Sequence, residues 1–140
     1  MDTPAPEIGY TFNETFSFTQ RQVEEFSAIT GDHNPIHLDP VYAATTSFKK
    51  PIMHGFLSGS VFSKVFGTIY PGEGTIYLEQ TMSFRRPMYV DVQYTATFIV
   101  TEVNHAKSQL VISCKIQDPD NKVCLEGQAR LMNTRIFQAT

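Results

Sequence analysis

Residues 55–70 read Gly55-Phe56-Leu57-Ser58-Gly59-Ser60-Val61-Phe62-Ser63-Lys64-Val65-Phe66-Gly67-Thr68-Ile69-Tyr70. Drawn as a helix, this stretch carries Phe56, Leu57, Val61, Phe62, Val65, Phe66 and Ile69 around most of its circumference. A helix that is apolar on nearly every side is a buried one. Ser58, Gly59, Ser60, Ser63 and Gly67 lie between the large residues and let a sheet or a ligand come close. Pro71-Gly72-Glu73-Gly74 stops the helix. The fold therefore turns on what the rest of the chain supplies to cover this segment.

The second half supplies strands. Thr75 to Arg86 reads as one strand, bounded by Pro87. Val92 to Val100, Leu110 to Gln117 and Val123 to Leu131 alternate apolar and polar residues, the pattern of half-buried antiparallel strands. Asp118-Pro119-Asp120-Asn121 is a turn that makes the last two a hairpin. Towards the N-terminus, residues 1–9 with Pro4, Pro6 and Gly9 form a loosely held, flexible lead-in. Phe12 to Phe18 alternates as a short strand. Thr19 and Gln22 match a capping box, Val23, Phe26 and Ile29 follow at helical spacing, and Gly31 ends that helix. A further short helix starts at Asp39-Pro40 and runs to about Thr46. The reading is α+β: a single domain over residues 1–140, with an antiparallel sheet wrapped around one long central apolar helix. Such a sheet leaves edges open, and a homodimer that continues the sheet would cover them.

Composition narrows the function. The chain has 140 residues, 41% hydrophobic and 18% charged, with a formal charge of −3, which gives no basic footprint for nucleic acid. No apolar run approaches the roughly 20 residues that span a bilayer, and the first residues do not read as a secretory signal. The expected location is the cytoplasm. Cys114 and Cys124 are then reduced, partly buried thiols, with a hairpin disulfide as the minor alternative.

Chemistry concentrates in Gly31-Asp32-His33-Asn34-Pro35-Ile36-His37-Leu38-Asp39. Each residue also has a purely structural reading: Asp32 as a turn former, Asn34-Pro35 as a loop starter, Asp39 as a helix cap, His37 as a loop histidine. Five residues separate Asp32 from His37 across a stiff Asn-Pro, so one loop can aim both at a single water and make a proton-transfer unit. His33, His37 and His54 form no recognised zinc spacing, so no metal is expected. Gly55 follows in Pro51-Ile52-Met53-His54-Gly55, and at the start of a buried helix its N–H suits an oxygen that gains charge. Ser63, eight residues on, falls roughly on the same face. It can donate to a ligand or bond its own helix. No Gly-x-Ser-x-Gly elbow, phosphate loop or dinucleotide fingerprint is present.

Asp32-His33-Asn34-Pro35-Ile36-His37-Leu38-Asp39 followed by Pro51-Ile52-Met53-His54-Gly55 resembles the MaoC-like dehydratase family, specifically the (R)-specific enoyl-CoA hydratases. The likeness continues through Ala43 to Thr46, Ser63, Pro71 to Leu78 and Ser83-Phe84 to Pro87, and covers about Phe16 to Leu131. His33 departs from the pattern, where an aromatic residue is frequent. The resemblance implies a hot-dog fold, usually dimeric. It implies that Asp32 and His37 hold the catalytic water and that the Gly55 N–H polarises the thioester carbonyl. Ser63 would line the reacting end of the pocket, with Asn34 and Phe56 as further substrate contacts. No cofactor is needed. Lys49, Lys50, Arg85 and Arg86 are candidates for the phosphates of coenzyme A, against the plainer reading of a solvated charged surface.

Four activities are compatible with these residues. The first is hydration of trans-2-enoyl-CoA to (R)-3-hydroxyacyl-CoA. The second is the same chemistry on an acyl carrier protein. The third is acyl-CoA thioester hydrolysis, and the fourth is a non-catalytic acyl-thioester-binding subunit. The complete set of Asp32, His37, Gly55 and Ser63 favours the first, with the second as its close alternative. The Asp/Asn-Pro/His grouping argues against the third, and the intact site against the fourth.

Overall fold

A computed structural model describes residues 3–138 of the chain. Met1 and Asp2 of the lead-in lie outside the described residues. Residues 3–7 carry no regular structure, and the Gly9 N–H donates to the Val100 carbonyl at 2.8 Å.

Strand β1 (Thr11–Phe16) leads into helix α1 (Gln20–Thr30). The Thr19/Gln22 capping box is complete, and Gly31 closes the helix in the left-handed region at φ 78°. A one-turn helix α2 (Pro35–Leu38) and the short α3 (Pro40–Ala44) follow. Then come the long helix α4 (Gly55–Thr68) and strands β2 (Ile76–Gln80), β3 (Ser83–Phe84), β4 (Tyr94–Asn104), β5 (Gln109–Gln117) and β6 (Val123–Met132), and a terminal turn of helix α5 (Thr134–Gln138). The six strands form one antiparallel sheet in the order β1-β4-β5-β6-β2, with β3 also paired to β6.

The alternating residues become the inner face. Tyr94, Ala96, Phe98 and Val100 of β4, Leu110, Ile112, Cys114 and Ile116 of β5, and Leu125, Ala129 and Leu131 of β6 are all buried. They meet Leu57, Val61, Phe62, Val65 and Phe66 of α4 in one core. The Phe98 ring packs edge-on against both Phe62 and Phe66. Bulges after Tyr77, Val100 and Ile116 interrupt the ladders. Such insertions bend a strand and sharpen its twist, which lets the sheet curl around the helix.

Four features correct the reading of the sequence. The expected single strand from Thr75 to Arg86 is two short strands, because the chain between them crosses Gly127 of β6. A Cβ at Gly127 would collide with the Thr81 carbonyl. The loop expected between α1 and α3 contains the helical turn α2, because Asn34 caps it and Pro35 fits its first position. Helix α4 is not covered all round: Phe56 is 70% exposed, Ser63, Lys64 and Thr68 face out, and Ile69, the residue that caps its end, is 44% exposed. In α1, Ile29 stands outside the core at 86% exposure.

Both cysteines are free and buried. Cys114 lies opposite Gly127 in the hairpin, away from Cys124, and burial pushes its thiol up to about 11. No helix among the described residues is long and apolar enough to cross a membrane.

Candidate active site

The left-handed Gly31 reverses the chain out of α1 and presents Asp32. The Asp32 N–H donates to the Thr30 hydroxyl at 3.2 Å, and its carboxylate accepts from the Asn34 N–H at 3.3 Å. Asn34 in turn accepts from the Ile36 N–H at 3.2 Å, which starts α2 and sets His37 on its inner side. His37 is buried, with Nδ1 2.8 Å from the Ile52 carbonyl. A carbonyl only accepts, so Nδ1 carries the hydrogen and Nε2 is the basic nitrogen of the neutral ring. The Gln20 amide also donates to the His37 carbonyl at 3.0 Å, tying α1 to α2.

His54 lies behind this arrangement. It is 2% exposed, and its ring lies over that of His37 with centroids 3.9 Å apart and planes 30° apart. Its Nε2 is 3.0 Å from the Ser27 hydroxyl and 3.2 Å from the Asp32 carbonyl oxygen. Burial holds its ring below the ordinary histidine range; the hydrogen bond to the Asp32 backbone opposes this, and the His37 ring adds to it. Asp32, His37 and His54 each bring one side-chain donor atom within 4.8 Å of the others, so this trio could also hold a cation.

His37 and Gly55 line one chamber of about 490 Å³, together with Ser58 and apolar walls that include Met53, Phe84 and Met88. Gly55 begins α4, and its N–H stands ahead of the helical ladder, whose first bonds run from Leu57 and Ser58 to the His54 carbonyl. A side chain at Gly55 would come within 2.6 Å of the Phe84 ring.

The other expected site residues separate into groups. Asp32 is exposed and reaches the trio without lining the chamber. Asn34 is exposed and occupied as a cap. Phe56 lines both the chamber and an adjoining groove between α4 and β2. Ser63 lies in that groove, and the serine that shares the chamber with His37 is Ser58. Arg85 and Arg86 line the chamber, with Arg85 3.2 Å from Glu126. Lys49 and Lys50 do not line it, and the Lys50 ammonium sits 4.6 Å over the Tyr89 ring.

The sequence considered His54 only as a metal ligand and passed over Ser27. Ser27 was open to detection. It follows Val23 by four residues, which places it on the buried face of α1.

A model of the MaoC like domain matches residues 3–117. The chain belongs to the MaoC-like family. It is 36% identical over 129 residues to an (R)-specific enoyl-CoA hydratase of Aeromonas caviae, covering 92% of this chain and 96% of that protein. A 3-hydroxybutyryl-CoA dehydratase of Methylorubrum extorquens is 35% identical over 127 residues, 88% of this chain and 78% of the relative. The solved (R)-hydratase from A. caviae superimposes with a TM-score of 0.87 at 36% identity, over 91% of this chain and 96% of that one. The expected hot-dog fold is therefore the observed one. Proteins named hydratases and dehydratases are hydro-lyases, and this MaoC-like chain is an enzyme of that class.

Proposed function

We propose that the chain is an (R)-specific enoyl-CoA hydratase, adding water reversibly to trans-2-enoyl-CoA to give (R)-3-hydroxyacyl-CoA. The observation that carries this reading is the approach of the Asp32 carboxylate to the His37 ring within 4.8 Å, with His37 and Gly55 lining one chamber. One water can hydrogen-bond to both groups across that gap. The carboxylate and the His37 Nε2 both accept, so the water gives a hydrogen to each and turns a lone pair towards C3 of the enoyl group. As the C3–O bond forms, the C2–C3 π electrons move towards the thioester oxygen, where the Gly55 N–H stabilises the charge. The proton taken from water returns to C2, which restores the carbonyl. General acid–base assistance is worth about 10²- to 10⁴-fold, and one oxyanion donor about 10²- to 10³-fold.

The similarity to proteins named for CoA thioesters favours CoA as the carrier. Arg85 and Arg86, at the chamber, are the residues proposed to meet its phosphates. Phe56 on the chamber wall and Ser63 in the adjoining groove are proposed as further substrate contacts. The exposed edge of β2, with Ile76 and Leu78 uncovered, is proposed to pair with a second copy of the chain. The whole chain is read as one hot-dog domain, and its two free thiols suit a reducing compartment such as the cytoplasm.

The test is loss of the conjugated thioester absorbance when crotonyl-CoA is mixed with protein. Turnover is expected in the wild type and its collapse in Asp32→Asn and in His37→Ala. Wild-type rates in both variants would end the mechanism. Faster turnover of crotonyl-acyl carrier protein than of crotonyl-CoA would move the proposal to the carrier-protein dehydratase.

A further inference from the structure

We propose that His54 is a positioning residue of this site, holding the Asp32 loop with one ring nitrogen while its ring face backs His37. The inference rests on the Asp32/His37 reading above and assigns to a third residue the task of keeping that pair in register.

His54 connects the parts that must act together. It is the N-cap of α4 and so adjoins Gly55 covalently. Its Nε2 lies 3.2 Å from the Asp32 carbonyl oxygen, and its ring lies 3.9 Å from that of His37. Phe26 closes over it from α1, with centroids 4.8 Å apart, and Ser27 sits 3.0 Å from its Nε2. The protonation state follows from these partners. The Asp32 carbonyl can only accept, so Nε2 bears the hydrogen. That leaves Nδ1 as a lone pair, and Nδ1 is buried without a hydrogen-bond partner. A proton there would bury a charged donor facing no acceptor, which is costly. The ring is therefore neutral, in agreement with its lowered proton affinity. Of the titratable groups among the described residues, His37 and Asp32 are those that act on it, and Phe26 and Ser27 of α1 bring no charge. His54 thus backs the His37 ring as a neutral face. A histidine that only filled space would need neither the tautomer nor the bond to Asp32.

The experiment separates ring from donor. His54→Phe keeps an aromatic face and loses the N–H. In His54→Gln the side-chain amide reaches the former Nε2 position. Steady-state kinetics with crotonyl-CoA are measured for both, with thermal melting to confirm folding. In H54F, kcat is expected to fall about 10²-fold, the scale of a misplaced catalytic pair, while KM stays within about twofold. H54Q is expected to recover about tenfold of that loss. A kcat in H54F within about threefold of wild type, or an H54Q no faster than H54F, overturns the proposal. Should H54F fail to melt cooperatively, His54→Asn, too short to reach Asp32, takes its place with the same thresholds. D32N is run alongside. If D32N turns over at the wild-type rate, the reading of the site itself fails. If D32N is inactive and H54F is normal, only the role of His54 falls.

Discussion

Two side chains of the proposed site respond to substitution in different ways. Asp32 is exposed, its carboxylate accepts from the Asn34 N–H as an asparagine amide oxygen also could, and its bond to buried His54 is made by the backbone carbonyl, so Asp32→Asn should leave the melting temperature nearly unchanged and lower kcat by about 10²- to 10⁴-fold. His54 is buried, and its effect reaches stability through pH. Its folded-state proton affinity lies below the ordinary value of 6.5. Above that value the ring is neutral in both states and its stabilising contribution is complete. As the pH falls below it, the unfolded chain binds the proton first, so stability declines until the folded-state value is passed. Melting temperatures recorded from pH 7.5 down to 5 should therefore fall more steeply for the wild type than for His54→Gln. The sequence displayed Asp32 and His37 because five residues and a proline hold them together locally. The role of His54 was hidden because its partners Ser27 and Asp32 lie 27 and 22 residues away and are brought to it only by tertiary folding.

Helix α4 is held by a few large rings and by the absence of side chains at chosen points. Phe62 is fully buried against Phe98, and Phe62→Ala should cost about 3–5 kcal/mol, measured by urea unfolding. Gly59 leaves room for Met82, whose sulfur would lie 2.6 Å from an added Cβ, just as Gly55 leaves room for Phe84. On β6, Gly127 faces the main-chain carbonyl of Thr81 first, with the Thr81 hydroxyl beside it. Gly127→Ala should therefore destabilise by about 1–3 kcal/mol in the same assay. Long alternating strands, the capping box of α1 and the greasy helix were legible because each follows from a local period or cap. The division of β2 from β3 was not, since it depends on Thr81 lying across a glycine 46 positions further along the chain. Helix α5 was also overlooked. Asn133 caps it, accepting from the Arg135 and Ile136 N–H groups at 3.0 and 3.2 Å.

At the scale of the whole molecule, the sheet ends on β2, whose residues Ile76, Tyr77 and Leu78 are each more than a third exposed. An edge of that kind invites another strand, and lysine placed on it discourages pairing. Sedimentation equilibrium should give twice the chain mass for the wild type and a mixture shifted towards the single chain for Leu78→Lys. Only the open edge could be anticipated from residues alone, because strand order is set by long-range pairing and not by any one segment. The shared position of Phe56 adds a kinetic consequence. One aromatic ring borders both the chamber and the groove beside it, and Tyr77 and Leu78 of β2 line that same groove, so a second copy pairing along β2, as proposed, would bear on the vestibule through that ring. Specific activity would then depend on protein concentration, waning on dilution and returning when the sample is reconcentrated.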